Sequence, residues 1–194
     1  MYDLGPAADR IAQLLPRMTE QALTRSTPCV GLSVGDLLDH VVGLSVAFRY
    51  AAEKAGEEVA GAPPPTPSAH NLEPGWREAL PEHLRELAAA WRRPEAWTGM
   101  TRAGGLQLPG EVAGLVALDE LVMHGWDLAR GLGVPYQPDD GSVRAIFGFL
   151  QESAAEGADR EGLFGPVIEV PADAPLFDRA LGLAGRDPEW SPSS

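Results

Sequence analysis

The stretch Val112 to Gly131, VAGLVALDELVMHGWDLARG, constrains this chain more than any other. It has no proline, and its apolar residues recur at helical spacing. Leu115, Leu118, Val122 and Ala129 share one face, and Ala113, Val116 and Ala117 lie near the opposite side. A helix apolar on nearly all sides is buried between neighbours. Yet its centre carries Glu120 and His124, four residues apart and therefore one above the other, with Asp127 three residues further on. Polar groups removed from water need partners. These residues either hydrogen-bond each other and the core or hold a metal, and this helix alone leaves both readings open.

The surrounding segments follow from periodicity and punctuation. Leu4, Ala8, Ile11, Leu15 and Met18 mark one helical face, which Pro16 should kink or end. Thr19 is placed to cap a short turn through Leu23. Arg25 to Leu32 has Pro and Gly and no period, so it reads as a loop. Ser33 with Asp36 is a capping-box signal for a helix to about Lys54, stopped by Gly56. Its expected buried stripe is Leu37, Leu44, Ala47, Phe48 and Ala51, with His40 in the middle and Asp39, Arg49, Tyr50 and Glu53 projecting elsewhere. Glu57 to Pro74, with Pro63, Pro64, Pro65 and Pro67, reads as a long connection covering one end of the molecule. Trp76 to Trp91 is a further amphipathic helix, with Leu80, Leu84, Leu87 and Trp91 facing inward. Trp97 to Leu108 reads as a short extended pair around Gly104-Gly105. Asp140 or Ser142 caps a last long helix to about Glu156, with Val143, Ile146, Phe147 and Leu150 inward. The tail offers an extended piece, Val167 to Val170, and a helix from Ala174 to Leu183. The expected fold class is all-α: one domain over residues 1–194, a bundle of four main helices with a C-terminal appendage from about residue 164.

Charge and composition remove whole classes of function. Asp and Glu outnumber Lys and Arg by 28 to 15, a net charge of -13, which opposes a nucleic-acid surface or an anionic membrane surface. No apolar run approaches the roughly 20 residues of a bilayer span. The start, Met-Tyr-Asp-Leu-Gly-Pro, lacks the basic and apolar regions of a signal peptide, and Cys29 is the one cysteine. The expectation is a cytoplasmic protein with no nucleic-acid or membrane partner; a homodimer is compatible with it. There is no glycine-rich phosphate loop, no G-x-S-x-G elbow and no H-E-x-x-H motif.

The two inward histidines gain meaning together. A chain with four histidines places one of them, His40, inward on the second helix and another, His124, on the buried helix beside Glu120. Two His and one carboxylate on facing helices form a common three-ligand set that leaves a coordination position open. Cys29 reads as a fourth ligand, a nucleophile or a structural thiol, with no basic cluster beside it in sequence. Asp127 and Arg130 read as groups supporting the ligands or facing substrate, or as an ordinary pair three apart on a helix.

The same residues carry a resemblance. Thr27-Pro28-Cys29, Gly31, Val34, Leu37 and His40 form one motif, Glu120 to Arg130 (ELVMHGWDLAR) a second, and Asp178-Arg179 with Gly185-Arg186-Asp187-Pro188 and Trp190 a third. Over nearly its whole length the chain resembles the DinB-like, mycothiol-dependent maleylpyruvate isomerase-like metal-binding family, in particular its short subgroup. The resemblance implies a DinB-like four-helix bundle holding a divalent metal, zinc by preference, on His40, Glu120 and His124. It also implies a low-molecular-weight thiol, mycothiol, as co-substrate beside a small electrophile, in a transferase or isomerase reaction. No catalytic side chain follows from it. Family members carry Trp two residues after the Cys, where this chain has Val30-Gly31-Leu32. The two-domain isomerase has a separate C-terminal domain that this chain is too short to include, so maleylpyruvate isomerisation itself is not carried over. The alternatives are a non-enzymatic metal- or ligand-binding bundle with a stress or regulatory role and, further off, a metallohydrolase.

Overall fold

The computed structural model describes residues 1–56, 65–155 and 164–192. Six α-helices account for most of them: α1 (Gly5–Ala12), α2 (Val34–Glu53), α3 (Trp76–Trp91), α4 (Gly110–Leu132), α5 (Asp140–Ser153) and α6 (Leu176–Leu183). Four of them close a ring in the order α1, α3, α2, α4, each packed on the next and α4 back on α1. The short first helix is thus the fourth member of the bundle. The longer α5 packs outside it, on α4, and carries α6.

Local chemistry accounts for the helix ends. Proline has no N–H to continue a helix, so α1 stops at Ala12 and Pro16 sits in a separate 3-10 turn, Leu15–Arg17. Met18 nevertheless reaches the core, fully buried with Leu4 and Ile11. The next turn, Glu20–Ala22, begins after Thr19, whose side chain makes no capping bond. The capping box of α2 forms as its sequence predicts: Ser33 Oγ accepts from the Asp36 N–H, and the Ser33 N–H donates to Asp36. The other end differs. The chain turns at Lys54, at φ 53°, two residues before Gly56, with the Ala55 N–H donating to Tyr50 O and the Lys54 N–H to Ala51 O. The buried stripe of α2 also shifts. It runs through Leu37, Leu38, Val41, Leu44 and Ala51, and leaves Ala47 and Phe48 half-buried.

Strands β1 (Met100–Ala103) and β2 (Leu106–Pro109) pair antiparallel across Gly104-Gly105, both at positive φ, as a two-residue hairpin turn requires. Thr101 ties this hairpin to α2 through the Ala51 carbonyl. Val167 to Val170 has no strand partner among the described residues; it lies along α6, with the Ile168 N–H donating to Gly182 O. Of the connection between α2 and α3, residues 57–64 lie outside the described residues. Its later part is pinned to α2, because Asp36 Oδ1 accepts from the Ala69 N–H and Asp39 Oδ2 from the Ser68 N–H and the Asn71 amide.

The interior of α4 is buried at every position from Leu121 to Ala129. Two tryptophans brace its start. Trp91 Nε1 donates to Phe48 O and Trp97 Nε1 to Trp91 O, and the two indoles meet edge to face. A Cβ at Gly114 would lie 2.6 Å from the Trp97 ring and 2.7 Å from the Trp91 ring. Both rings are held by their N–H bonds and cannot retreat. Gly114→Ala should therefore destabilise the fold by about 1–3 kcal/mol, despite the better helix propensity of alanine. Gly43→Ala, on an exposed stretch of α2 with nothing within 4 Å of the new carbon, should stabilise it by up to about 1 kcal/mol. Urea unfolding of the two variants reads both signs.

Candidate metal centre

The seam between α2 and α4 brings His40, Glu120 and His124 together. Glu120 Oε2 lies 3.0 Å from His124 Nε2 and 3.4 Å from His40 Nε2. The imidazole planes stand at 89° with centroids 4.9 Å apart, so the rings meet edge to face. Donors bound tetrahedrally at zinc–ligand distances of about 2.0–2.1 Å lie roughly 3.3–3.4 Å from each other. The two distances from Glu120 are close to that spacing, and all three donor atoms fall within 4.8 Å of one another. The donor chemistry, two imidazole nitrogens and a carboxylate oxygen, fits a divalent ion such as zinc.

Behind His124 runs a line of support. Its Nδ1 lies 3.0 Å from Asp127 Oδ2, and Asp127 is fully buried. With Nδ1–H donated to that carboxylate, Nε2 is the nitrogen left for Glu120 or a metal. Arg186 closes the line, with Nη2 2.9 Å from Asp127 Oδ2 and Nε 3.3 Å from Oδ1. It arrives there from a helix end. The Arg186 N–H bonds Leu181 O and the Gly185 N–H bonds Gly182 O, with Gly185 at φ 77°, the paired bonds of a Schellman turn. That turn aims Arg186 at α4.

Burial and these neighbours set the charges. Burial alone would raise the Glu120 carboxyl, but hydrogen bonds and charge from His124 and His40 reverse this and hold it well below the usual range. Burial would lower His124, but Asp127 and Glu120 outweigh it and raise the imidazole to about 9. Asp119, buried next to Glu120, is raised to about 7 by desolvation and then by the Glu120 charge. The Cys29 thiol is raised to about 11, first by burial and then by Asp127.

The site opens into a cavity of about 320 Å³. Its walls include Cys29, Leu32, Pro67, Met123, Phe164 and Arg186. Cys29 is placed by the loop before α2. Thr27 Oγ1 donates to Leu32 O at 2.8 Å, Gly31 turns at φ 81°, and Ser26 bridges Ser33. Leu32 is a half-buried part of the wall. Cys29, His124 and Asp127 form a second group of donors within 4.8 Å of one another. In that group Asp127 is already bonded to both Arg186 and His124, so the set on His40, Glu120 and His124 is the more open one.

The structure does not bring Arg130 to the cavity. Its guanidinium donates to the Trp190 carbonyl and lies 5.7 Å from the Trp126 ring centroid. The pair of Asp127 is Arg186, 59 residues away. His70 is exposed, and His83 is half-buried on α3. Two residues of the site, Asp119 and Arg186, are not among the candidates the sequence singles out, Arg186 standing only within the C-terminal motif Gly185-Arg186-Asp187-Pro188. Asp119 adjoins Glu120, and helix geometry turns it toward the same cavity. Nothing local marks Arg186 as a partner of α4.

The family model for the mycothiol maleylpyruvate isomerase N-terminal domain matches residues 4–129. The chain belongs to this family. His40, Glu120, His124 and Asp127 lie inside the matched region, and Arg186 lies beyond it. Among solved structures, the chain is similar to the crystal structure of the mycothiol-dependent maleylpyruvate isomerase. The TM-score is 0.60 at 19% identity, over 80% of this chain and 70% of that one. At that identity the likeness is one of fold. No curated protein matches the sequence.

The His124 pair has a pH signature. Its value near 9 in the folded chain exceeds the unfolded reference of about 6.5, so the stabilisation is complete below pH 6.5 and lost as pH rises through 9. Stability of the metal-free protein should fall across that window, and His124→Gln should flatten the fall. Metal must displace the same proton, so affinity should climb up to about pH 9 rather than level off above 6.5. Thermal melts and metal titrations across pH 6 to 9 read both effects.

Proposed function

We propose that this chain binds a divalent metal, zinc by donor chemistry, through His40, Glu120 and His124, and acts as a thiol-dependent transferase or isomerase. Its co-substrate is a low-molecular-weight thiol such as mycothiol, and its second substrate a small electrophile. The observation that carries the reading is the convergence of three donor atoms, within 4.8 Å of one another, on a cavity of about 320 Å³. Membership of a mycothiol isomerase domain family supplies the class of thiol.

Held by the His40 and His124 imidazoles and the Glu120 carboxylate, a divalent ion would retain a net charge of about +1 and would supply Lewis acidity that lowers the pKa of a thiol brought to it. The chain's own residues do the rest. Asp127, held by Arg186, keeps the His124 ring in one orientation and one tautomer. His40 and Glu120 project from two different helices, so the donor spacing is set by helix packing rather than by a loop. Leu32, Pro67, Met123 and Phe164 put apolar surface around the opening and limit water. In the metal-free chain burial and then the Asp127 charge push the Cys29 thiol up to about 11, which disfavours it as the nucleophile and favours a sulfur carried by the co-substrate. The net charge of -13 does not oppose an anionic ligand, because distant exposed carboxylates are screened within about 10 Å at 0.1 M salt.

Elemental analysis of the purified protein should find one divalent ion per chain, and His40→Ala, Glu120→Ala and His124→Ala should each lower occupancy strongly. Undiminished metal in His124→Ala rejects the ligand set. Titrating mycothiol into the cobalt-loaded protein should raise a sulfur-to-metal charge-transfer band that His40→Ala lacks. A spectrum unchanged by any thiol rejects the thiol chemistry and favours the non-enzymatic binding bundle.

A further inference from the structure

Asp119 is not one of the three candidate metal donors, yet it lines the same cavity. It is only 4% exposed, and its Oδ1 is buried without a hydrogen-bond partner. An orphaned buried acceptor loses its hydration with nothing in return, a penalty of about 1–3 kcal/mol, and native chains retain few of them. Helix geometry explains the position. Asp119 and Met123 form the row of α4 next to Glu120 and His124, and all four reach the cavity.

The nearby bonded donors point elsewhere. Arg186 uses Nε and Nη2 on Asp127 and Nη1 on the Ala184 carbonyl, and none of its N–H groups bonds Asp119 Oδ1. His124 directs Nδ1 to Asp127 and Nε2 to Glu120. No described side chain satisfies Asp119 Oδ1, and Asp119 lines the same cavity as the three donors, so a small turn of the buried carboxyl would present an oxygen to a ligand there.

We propose that Asp119 is a specificity-determining residue that accepts a hydrogen bond from a donor group, an amide N–H or hydroxyl, carried by the thiol ligand a few bonds from its sulfur. In either protonation state a carboxyl offers an acceptor oxygen. A site that provides a hydrogen bond rejects the analogue lacking the matching group, because its own buried polar atom then stays unpaired. The inference rests on the thiol-binding reading above and narrows it, excluding simple alkyl thiols as good ligands.

The test uses two small thiols of nearly equal shape on the cobalt-loaded protein. N-acetylcysteamine has an amide N–H, and 2-mercaptoethyl acetate has an ester oxygen in its place. The charge-transfer band reports binding of each. The wild-type protein should bind the amide roughly tenfold more tightly, as expected for one hydrogen bond to a buried acceptor. Asp119→Leu should bind both thiols alike, and Asp119→Asn, which keeps an acceptor oxygen, should retain the preference. A purely structural role for Asp119 would weaken both thiols together and leave their ratio unchanged in Asp119→Leu, which overturns the proposal. Equal wild-type affinities with clear bands overturn it too and leave the thiol reading standing. No band with either thiol or with mycothiol overturns both. Where Asp119→Leu does not fold, Asp119→Ala is read in the same way, and equal wild-type affinities still overturn the proposal.

Discussion

The line from Arg186 through Asp127 to His124 is the interaction on which the rest of this structure depends. Helix α4 is apolar enough to be buried on nearly all sides, yet it carries four ionisable groups at its centre. Asp127 is completely withdrawn from water. A carboxylate there is tolerable only with charged hydrogen-bonding partners, and removing one partner from such a pair is costly because the other charge is left stranded. Arg186 supplies one partner and His124 the other. The two partners offset the cost of withdrawing that carboxylate from water, and an imidazole is locked with Nε2 pointing outward.

This explains what the C-terminal segment does for the bundle. Helix α6 has eight residues, and with α5 it packs outside the ring of four. Its Schellman turn, closed at Gly185, delivers a guanidinium to the interior of α4. A Cβ at Gly185 would come within 3 Å of the Gly165 backbone, so the turn and the cavity wall around Phe164 and Gly165 are packed as one piece. The appendage is thus coupled to the centre through a buried ion pair as well as through apolar contact.

The site also divides labour between rigid and irregular parts of the chain. The three candidate metal donors stand on two long helices, whose spacing is set by core packing. The walls come from connections: the loop carrying Cys29 and Leu32, the turn after Pro67, and the segment at Phe164. Loops can vary without disturbing the donors.

Much of this was legible in the sequence. Periodicity and caps located the helices, since a 3.6-residue repeat and a Ser33–Asp36 box are local physics. The same periodicity turned His40, Glu120 and His124 inward, and two glycines marked the hairpin. The sequence was less informative where competing local signals had to be ranked. Gly56 looked like the stop of α2, but the hairpin and the Trp91 contact hold the helix end so that Lys54 takes the left-handed turn. Arg130 looked like the partner of Asp127 because the two are three residues apart. Only the tertiary structure decided for Arg186, because a buried carboxylate takes whichever cation packing brings within hydrogen-bond reach, and sequence distance says nothing about that. The orphaned oxygen of Asp119 is likewise invisible in the chain. Helical spacing tells which way a side chain points, but only the assembled neighbours determine whether its hydrogen bond is met.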